Sequence, residues 1–191
     1  MRTAIFGGTF DPIHNAHLTV AREAVAQFGL SNVLFVVAAN PPHKSGNHVT
    51  DYEHRYRMVE MACRGDIEFV PSRLEEGDEV SYSIRTVEKV RALVGGEGTV
   101  YFIIGADAFA EIQTWHRWRD VVREVRFIVV TRPGHKYTVP PNATVHRLDT
   151  LALPFSSSEI RARLAKGEAP AEVPAPVLDY IRGHKLYGYG G

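Results

Sequence analysis

A single cysteine, Cys63, stands among the 191 residues of this chain. That excludes an internal disulfide and fits a reducing compartment, so a cytoplasmic protein is expected. Between Met61-Ala62 and Arg64 the thiol has the setting of a small apolar residue on a helix rather than of a nucleophile. Net charge is missing as well: 22 basic and 22 acidic residues cancel. Bulk attraction to nucleic acid or to a membrane is therefore not indicated, and any affinity for phosphate has to come from local clusters. No apolar run approaches the ~20 residues of a membrane span. The chain runs straight into a strand-like segment, so no signal peptide is expected. Internal repeats, linkers and low-complexity stretches are also absent. What is present, 45% hydrophobic and 23% charged residues, is the balance of a globular chain with a core of its own. Its length suits one domain spanning residues 1–191.

Apolar runs and helical periodicities alternate along the chain. Residues 4–6 read as a strand and 16–28 as a helix ended by Gly29. The continuous apolar run 33–37 suits a strand covered on both faces. Thr50 and Glu53 offer a capping box for a helix over 52–63. Strands are expected at 67–70, 100–104, 126–130 and 145–148, with a helix at 83–94. Two helices near 157–166 and 176–182 follow, joined by a Pro- and Ala-rich but ordered connector, and the Gly-rich end 188–191 is expected to be loose. Alternation of this kind predicts an α/β fold: a Rossmann-like parallel sheet with helices on both faces and right-handed crossovers. Ligands then gather outside the carboxyl ends of the strands, where strand order switches.

The most informative stretch lies at the first strand-to-helix junction: Gly7-Gly8-Thr9-Phe10-Asp11-Pro12-Ile13-His14-Asn15-Ala16-His17. Glycines allow a tight turn and close approach of a ligand. A helix N-terminus offers free N–H groups to an anion. His14 and His17, three apart, can share one side of the helix start. No Gly-Lys-Ser/Thr follows, so this is not a P-loop, and Gly-x-Gly-x-x-Gly is absent, so it is not the dinucleotide fingerprint. A zinc site would lack a third ligand at recognisable spacing. The segment resembles the H-x-G-H signature of the nucleotidylyltransferase superfamily, with Ala16 in place of glycine. Within that superfamily it is most similar to the bacterial nicotinate-nucleotide adenylyltransferase family.

Other segments resemble that family in the same order. Pro41-Pro42-His43-Lys44 is a cationic lip after the second strand, where the bland alternative is a solvated loop. Ser81-Tyr82-Ser83-Ile84-Arg85-Thr86 opens a helix, with Ser83 for the usual threonine and Arg85 where an acidic or amide residue is common. Gly105-Ala106-Asp107 ends a strand, and Trp115-His116-Arg117-Trp118 follows it. Trp118 is expected in the core, the ordinary place of a large aromatic. Phe155-Ser156-Ser157-Ser158-Glu159-Ile160-Arg161 is a serine-capped helix start with an arginine one turn in, able to grip phosphate. Arg132-Pro133-Gly134 and the stretch from Tyr180 to Tyr187 also fit the pattern.

The resemblance implies transfer of AMP from ATP to nicotinate mononucleotide, giving nicotinate adenine dinucleotide and pyrophosphate. His14, His17 and Arg161 would be catalytic. Gly7, Gly8, Thr9, Phe10, His43, Lys44, Gly105, Asp107, Ser156 and Arg161 would bind ATP. Tyr82, Ser83, Trp115 and His116 would bind the nicotinate nucleotide, with Trp115 against the pyridine ring and Asp107 on a ribose. The C-terminal helices from about residue 157 would complete the nucleotide site. Mg²⁺ would arrive with ATP, held mainly by phosphate oxygens, so no protein metal site is expected. Such a reaction needs positioning and charge stabilisation rather than a protein nucleophile. Two alternatives remain: a related adenylyltransferase with another acceptor, such as nicotinamide mononucleotide or phosphopantetheine, and a non-catalytic nucleotide-binding regulator. The oligomeric state stays open.

Overall fold

The computed structural model describes residues 1–40, 49–77, 79–132, 134–151 and 156–190. Among the described residues six strands form one sheet: β1 (Arg2–Gly8), β2 (Asn32–Val37), β3 (Phe69–Ser72), β4 (Thr99–Gly105), β5 (Arg126–Thr131) and β6 (Thr144–Asp149). They lie in the order β3-β2-β1-β4-β5-β6, and every pair is parallel. The helices are α1 (Asn15–Phe28), α2 (Tyr52–Ala62), α3 (Ser83–Val94), α4 (Ala106–Ala110), α5 (Trp118–Glu124), α6 (Ser157–Leu164) and α7 (Ala175–Gly183).

The continuous apolar strands divide by parity between two cores, which is why they do not alternate with polar residues. Ala4, Phe35, Val37, Ile103 and Ile128 face one core with Ala21 of α1, Met58 of α2, Ile160 of α6 and Ile181 of α7. Ile5, Val36, Phe102, Ile104 and Phe127 face the other with Val87 of α3, Phe109 of α4 and Val121 of α5. Cys63 belongs to the first core, and burial pushes its thiol up to about 12, so it fills space there. From β1 the chain winds outward through β2 and β3, then returns to place β4 on the other side of β1. The switch in strand order therefore lies between β1 and β4, whose carboxyl ends are Gly8 and Gly105.

Several expectations shift. The third strand runs Phe69–Ser72 rather than 67–70, and Ile67 is 95% exposed. As an edge strand it tolerates Pro71, which made the sequence look as if the strand had already ended. The capping box at α2 does not form: its N-cap is Asp51, and Glu53 pairs with Arg57 and Arg73 instead. The Gly-rich end is not loose up to residue 190, because Tyr189 is buried in the first core. The Pro/Ala connector is ordered, with Val173 buried and the Glu172 carbonyl accepting from Asn15 N–H at 2.7 Å. Among the described residues no helix is long and apolar enough to cross a membrane.

Candidate active site

The carboxyl end of β1 begins the site. Gly7 and Gly8 are still strand residues, so the chain turns after them and not at them. A Cβ on Gly8 would lie 3.0 Å from the Phe10 ring, whereas one on Gly7 would meet only Phe102 at 3.9 Å. Gly8 is thus dictated by Phe10, whose φ of 50° tucks its ring inward. That ring packs edge-on against Phe6 at 5.9 Å and against His17 at 5.1 Å. The turn is tied down by Arg55 of α2, only 2% exposed. Its guanidinium donates to the carbonyls of Thr9 at 2.8 Å, Ala38 at 2.7 Å and Thr50 at 2.7 Å, joining the ends of β1 and β2 to α2. Asp11, 4% exposed, accepts from Thr50 N–H at 3.2 Å and from the Tyr187 hydroxyl at 2.6 Å. Arg55 escapes sequence reasoning, while Asp11 and Tyr187 lie in stretches the sequence singles out but gives no role of their own. Arg55 looks like one more charge on a solvated helix, and nothing local marks it as buried.

The two histidines are brought together as expected, with ring centroids 3.8 Å apart. His17 Nδ1 accepts the His14 main-chain N–H at 3.2 Å. An accepting Nδ1 carries no proton, so the neutral ring bears its hydrogen on Nε2 as a free donor. Burial holds His17 well below the ordinary histidine range, and His14 beside it acts in the same direction. Burial likewise lowers His14 to about 4, partly offset by the carboxylate of Glu172. Both rings are therefore neutral at pH 7. Ala16, between them, is buried in α1.

This depression has a consequence for stability. The unfolded chain takes up a proton on each histidine near pH 6.5, the folded one only near 4 for His14 and still lower than 6.5 for His17. Stability is then full above about 6.5 and is lost as pH falls from there toward 4, approaching ~1.4 kcal/mol per pH unit for each histidine. Glu75, whose carboxyl is raised by burial, works in the opposite direction. Urea unfolding of wild type and His14→Asn at pH 7, 6 and 5 separates the two effects. A shallower loss in the variant is expected, and parallel curves would contradict it.

Helix α6 docks against the histidine turn. Ser157 Oγ donates to the Pro12 carbonyl at 3.0 Å, and Arg161 Nη1 donates to the Asp11 carbonyl at 2.7 Å. Arg161 Nη2 reaches Ser158 Oγ at 3.2 Å. Ser156 is the N-cap of α6, its hydroxyl engaged with Glu159. Ser156 Oγ takes the Glu159 N–H, which leaves the main-chain N–H groups of Ser157 and Ser158 rather than the Ser156 hydroxyl to face an anion. His43 and Lys44 lie outside the described residues, as do Phe155 and Pro133.

Two cavities open at the carboxyl ends of the strands, the smaller at the switch point between β1 and β4 and the larger over the ends of β4 and β5. One, about 210 Å³, is lined by Gly7, Gly8, Ser83, Gly105 and Trp115 together with Glu75. The other, about 430 Å³, is lined by Gly105, Asp107, Thr131, Arg132 and His135. Gly105 is common to both. Trp115 meets Phe102 edge-on at 5.8 Å in the wall of the smaller cavity. Tyr82 and His116 do not line it. Their rings pack on each other at 4.5 Å and clasp the start of α3 to the Trp115 segment. Arg85 pairs with Glu79 and is absent from the lining. Trp118 is only partly buried against the second core, with Arg119 over its ring at 4.6 Å. Glu75 is a missed lining residue: it accepts from the Thr86 hydroxyl, and burial raises its carboxyl. In sequence it belongs to a charged stretch, Glu75-Glu76, that reads as a solvated loop.

Comparison with known proteins agrees with this geometry. The cytidylyltransferase-like family profile matches residues 5–163. A protein of Solibacter usitatus called a probable nicotinate-nucleotide adenylyltransferase is 58% identical over 98% of this chain and 100% of its own length. A Moorella thermoacetica protein of the same description is 40% identical over 97% of this chain and 91% of its own. The Plasmodium falciparum nicotinic acid mononucleotide adenylyltransferase complexed with NaAD superposes with a TM-score of 0.81 at 21% identity, covering 98% of each chain, and so shares the fold. By profile, by relatives across nearly its whole length and by fold, this chain belongs to the nicotinate-nucleotide adenylyltransferase family of cytidylyltransferase-like proteins.

Proposed function

We propose that this protein transfers AMP from ATP to nicotinate mononucleotide, releasing pyrophosphate and forming nicotinate adenine dinucleotide. One observation carries the assignment of the site: two cavities share Gly105, and the smaller is lined by Gly7 and Gly8, from which the chain runs on into the His14–His17 turn. An acceptor in one and adenosine in the other bring their phosphates together over the end of β1. The smaller cavity takes the pyridine ring, with Trp115 against its face and the α3 start at Ser83 toward its carboxylate. The larger takes adenosine, with Asp107 at the ribose hydroxyls.

In the reaction the acceptor phosphate oxygen attacks the ATP α-phosphorus and pyrophosphate leaves on the opposite side. Negative charge builds on the α-phosphoryl oxygens. His17 Nε2–H and the main-chain N–H groups of the turn and of α6 donate to these oxygens, and Arg161 grips the departing pyrophosphate. By the family resemblance His43 and Lys44 also bind ATP, Lys44 with a positive charge. The helices from α6 onward complete the nucleotide side of the site. Among the described residues no three His, Cys, Asp or Glu side chains converge. Mg²⁺ would enter with ATP on phosphate oxygens, a mode that asks for no protein cage, and would neutralise phosphate charge.

Steady-state assays with Mg-ATP and each pyridine mononucleotide, following pyrophosphate release, test the assignment. One pyrophosphate per dinucleotide is expected, with kcat/KM about 10- to 100-fold higher for nicotinate than for nicotinamide mononucleotide. A carboxylate only accepts hydrogen bonds, while an amide turns NH₂ toward one of the main-chain donors and leaves it unmatched. Equal values for the two acceptors would overturn the acceptor assignment. No turnover with either would overturn the function.

A further inference from the structure

Tyr187 lies in the segment that follows α7 and returns to the histidine turn. Its hydroxyl donates to Asp11 Oδ1 at 2.6 Å, while Thr50 N–H supplies Oδ2 at 3.2 Å. Arg55 is close by but gives its N–H groups to carbonyls. Among the described residues the Tyr187 hydroxyl is therefore the side-chain donor to this buried carboxylate. A buried carboxylate without such bonds is unfavourable and seeks water or another orientation. The same residue, Asp11, presents its main-chain carbonyl to Arg161 at 2.7 Å. The other bond of Arg161 goes to Ser158 on its own helix. The Asp11 carbonyl is thus the tie between Arg161 and the turn that carries His14 and His17.

The backbone around Tyr187 supports a specific purpose for this contact. Lys185 and Tyr187 have φ of 51° and 57°, a left-handed conformation that costs residues with a Cβ. It persists because the flanking side chains are anchored, Tyr189 in the core and Leu186 against it. Across the contact Phe10, just before Asp11, is left-handed as well, with φ of 50°. Two held, unfavourable conformations meet at one carboxylate, the kind of place where structure is spent on positioning.

We infer that Tyr187 is a positioning residue for adenylyl transfer: through Asp11 it fixes the turn on which Arg161 is registered against the two histidines. It touches no reacting atom. The inference rests on the proposed role of Arg161 at the triphosphate.

Tyr187→Phe removes one oxygen and keeps the ring. The expected result is a fall in kcat of about tenfold with the KM for nicotinate mononucleotide unchanged within twofold. A purely structural role would lower the amount of folded enzyme and leave kcat per folded molecule intact. Tyr189→Phe is the control. It loses a hydroxyl of the same segment that meets Arg182 at 3.1 Å, away from the turn, and wild-type kcat is expected. In an Arg161→Ala background, adding Tyr187→Phe should cost less than a further threefold, since residues acting through one another are not additive. Wild-type kcat in Tyr187→Phe, or a full tenfold loss on top of Arg161→Ala, overturns the inference. Unchanged turnover in Arg161→Ala alone removes the role of Arg161 and this inference with it. An impaired Arg161→Ala beside an unimpaired Tyr187→Phe removes the inference alone.

Discussion

His17→Ala is expected to lower kcat for dinucleotide synthesis by about 10²- to 10³-fold while the KM for ATP changes little. The ring is set before substrate arrives. Its Nδ1 is occupied by the His14 N–H, and its faces and edges are confined by Phe6, Phe10 and His14. Burial keeps it neutral. A neutral Nε2–H donor gains little from the ground-state phosphate relative to water, and more as charge accumulates on the oxygens. Two further variants locate the effect on one atom. His17→Asn places an amide oxygen near the Nδ1 position and lacks a donor at Nε2, so it should be as slow as alanine. His17→Gln can place its NH₂ near the Nε2 position and should recover part of the rate. The measurement is kcat and KM for ATP at saturating acceptor. Parallel losses in KM and kcat would make His17 a ground-state ligand instead.

Why the sheet was legible and the site only half so follows from the residues themselves. The strands 33–37, 100–104 and 126–130 are continuous apolar runs, a signal that survives because both faces of the sheet are covered. Helices α4 and α5 span 5 and 7 residues, too short for a helical period to declare itself. The histidine turn was legible because its chemistry is concentrated in eleven consecutive residues, 7–17. Arg55, Glu75 and Tyr187 were not, because their importance comes from burial. Each sits in a largely polar or Gly-containing stretch that suggests solvent, and tertiary packing alone brings Arg55 to the ends of β1 and β2, Glu75 to the cavity wall and Tyr187 to Asp11. The Gly-rich end misleads in the same way: its glycines suggested looseness, while Tyr189 between them is anchored in the core.

The second large effect belongs to Arg161. Its guanidinium has five N–H donors, and two nitrogens are already engaged with the Asp11 carbonyl and Ser158 Oγ. These contacts fix the plane of the fork, so the remaining hydrogens are aimed without further ordering when phosphate binds. Arg161→Ala removes the charge, the fork and one of the two ties between α6 and the histidine turn, leaving the bond from Ser157 Oγ to the Pro12 carbonyl. Charge-assisted bonds of this kind contribute ~1.5–3 kcal/mol, so the inhibition constant of pyrophosphate and the KM for ATP should each rise by about 10- to 100-fold, and kcat should fall as well, since the group that grips the departing pyrophosphate also stabilises its developing charge. Arg161→Lys should recover only part of this. An ammonium can stay near the Asp11 carbonyl or move toward phosphate, but it cannot hold both in one plane. Product inhibition by pyrophosphate reads the binding term directly, and the reverse reaction from nicotinate adenine dinucleotide checks it from the other side. Unchanged pyrophosphate inhibition in Arg161→Ala would place the residue outside the triphosphate site. Full recovery by lysine would reduce its role to a point charge, and the tie through Asp11 would then be structural only.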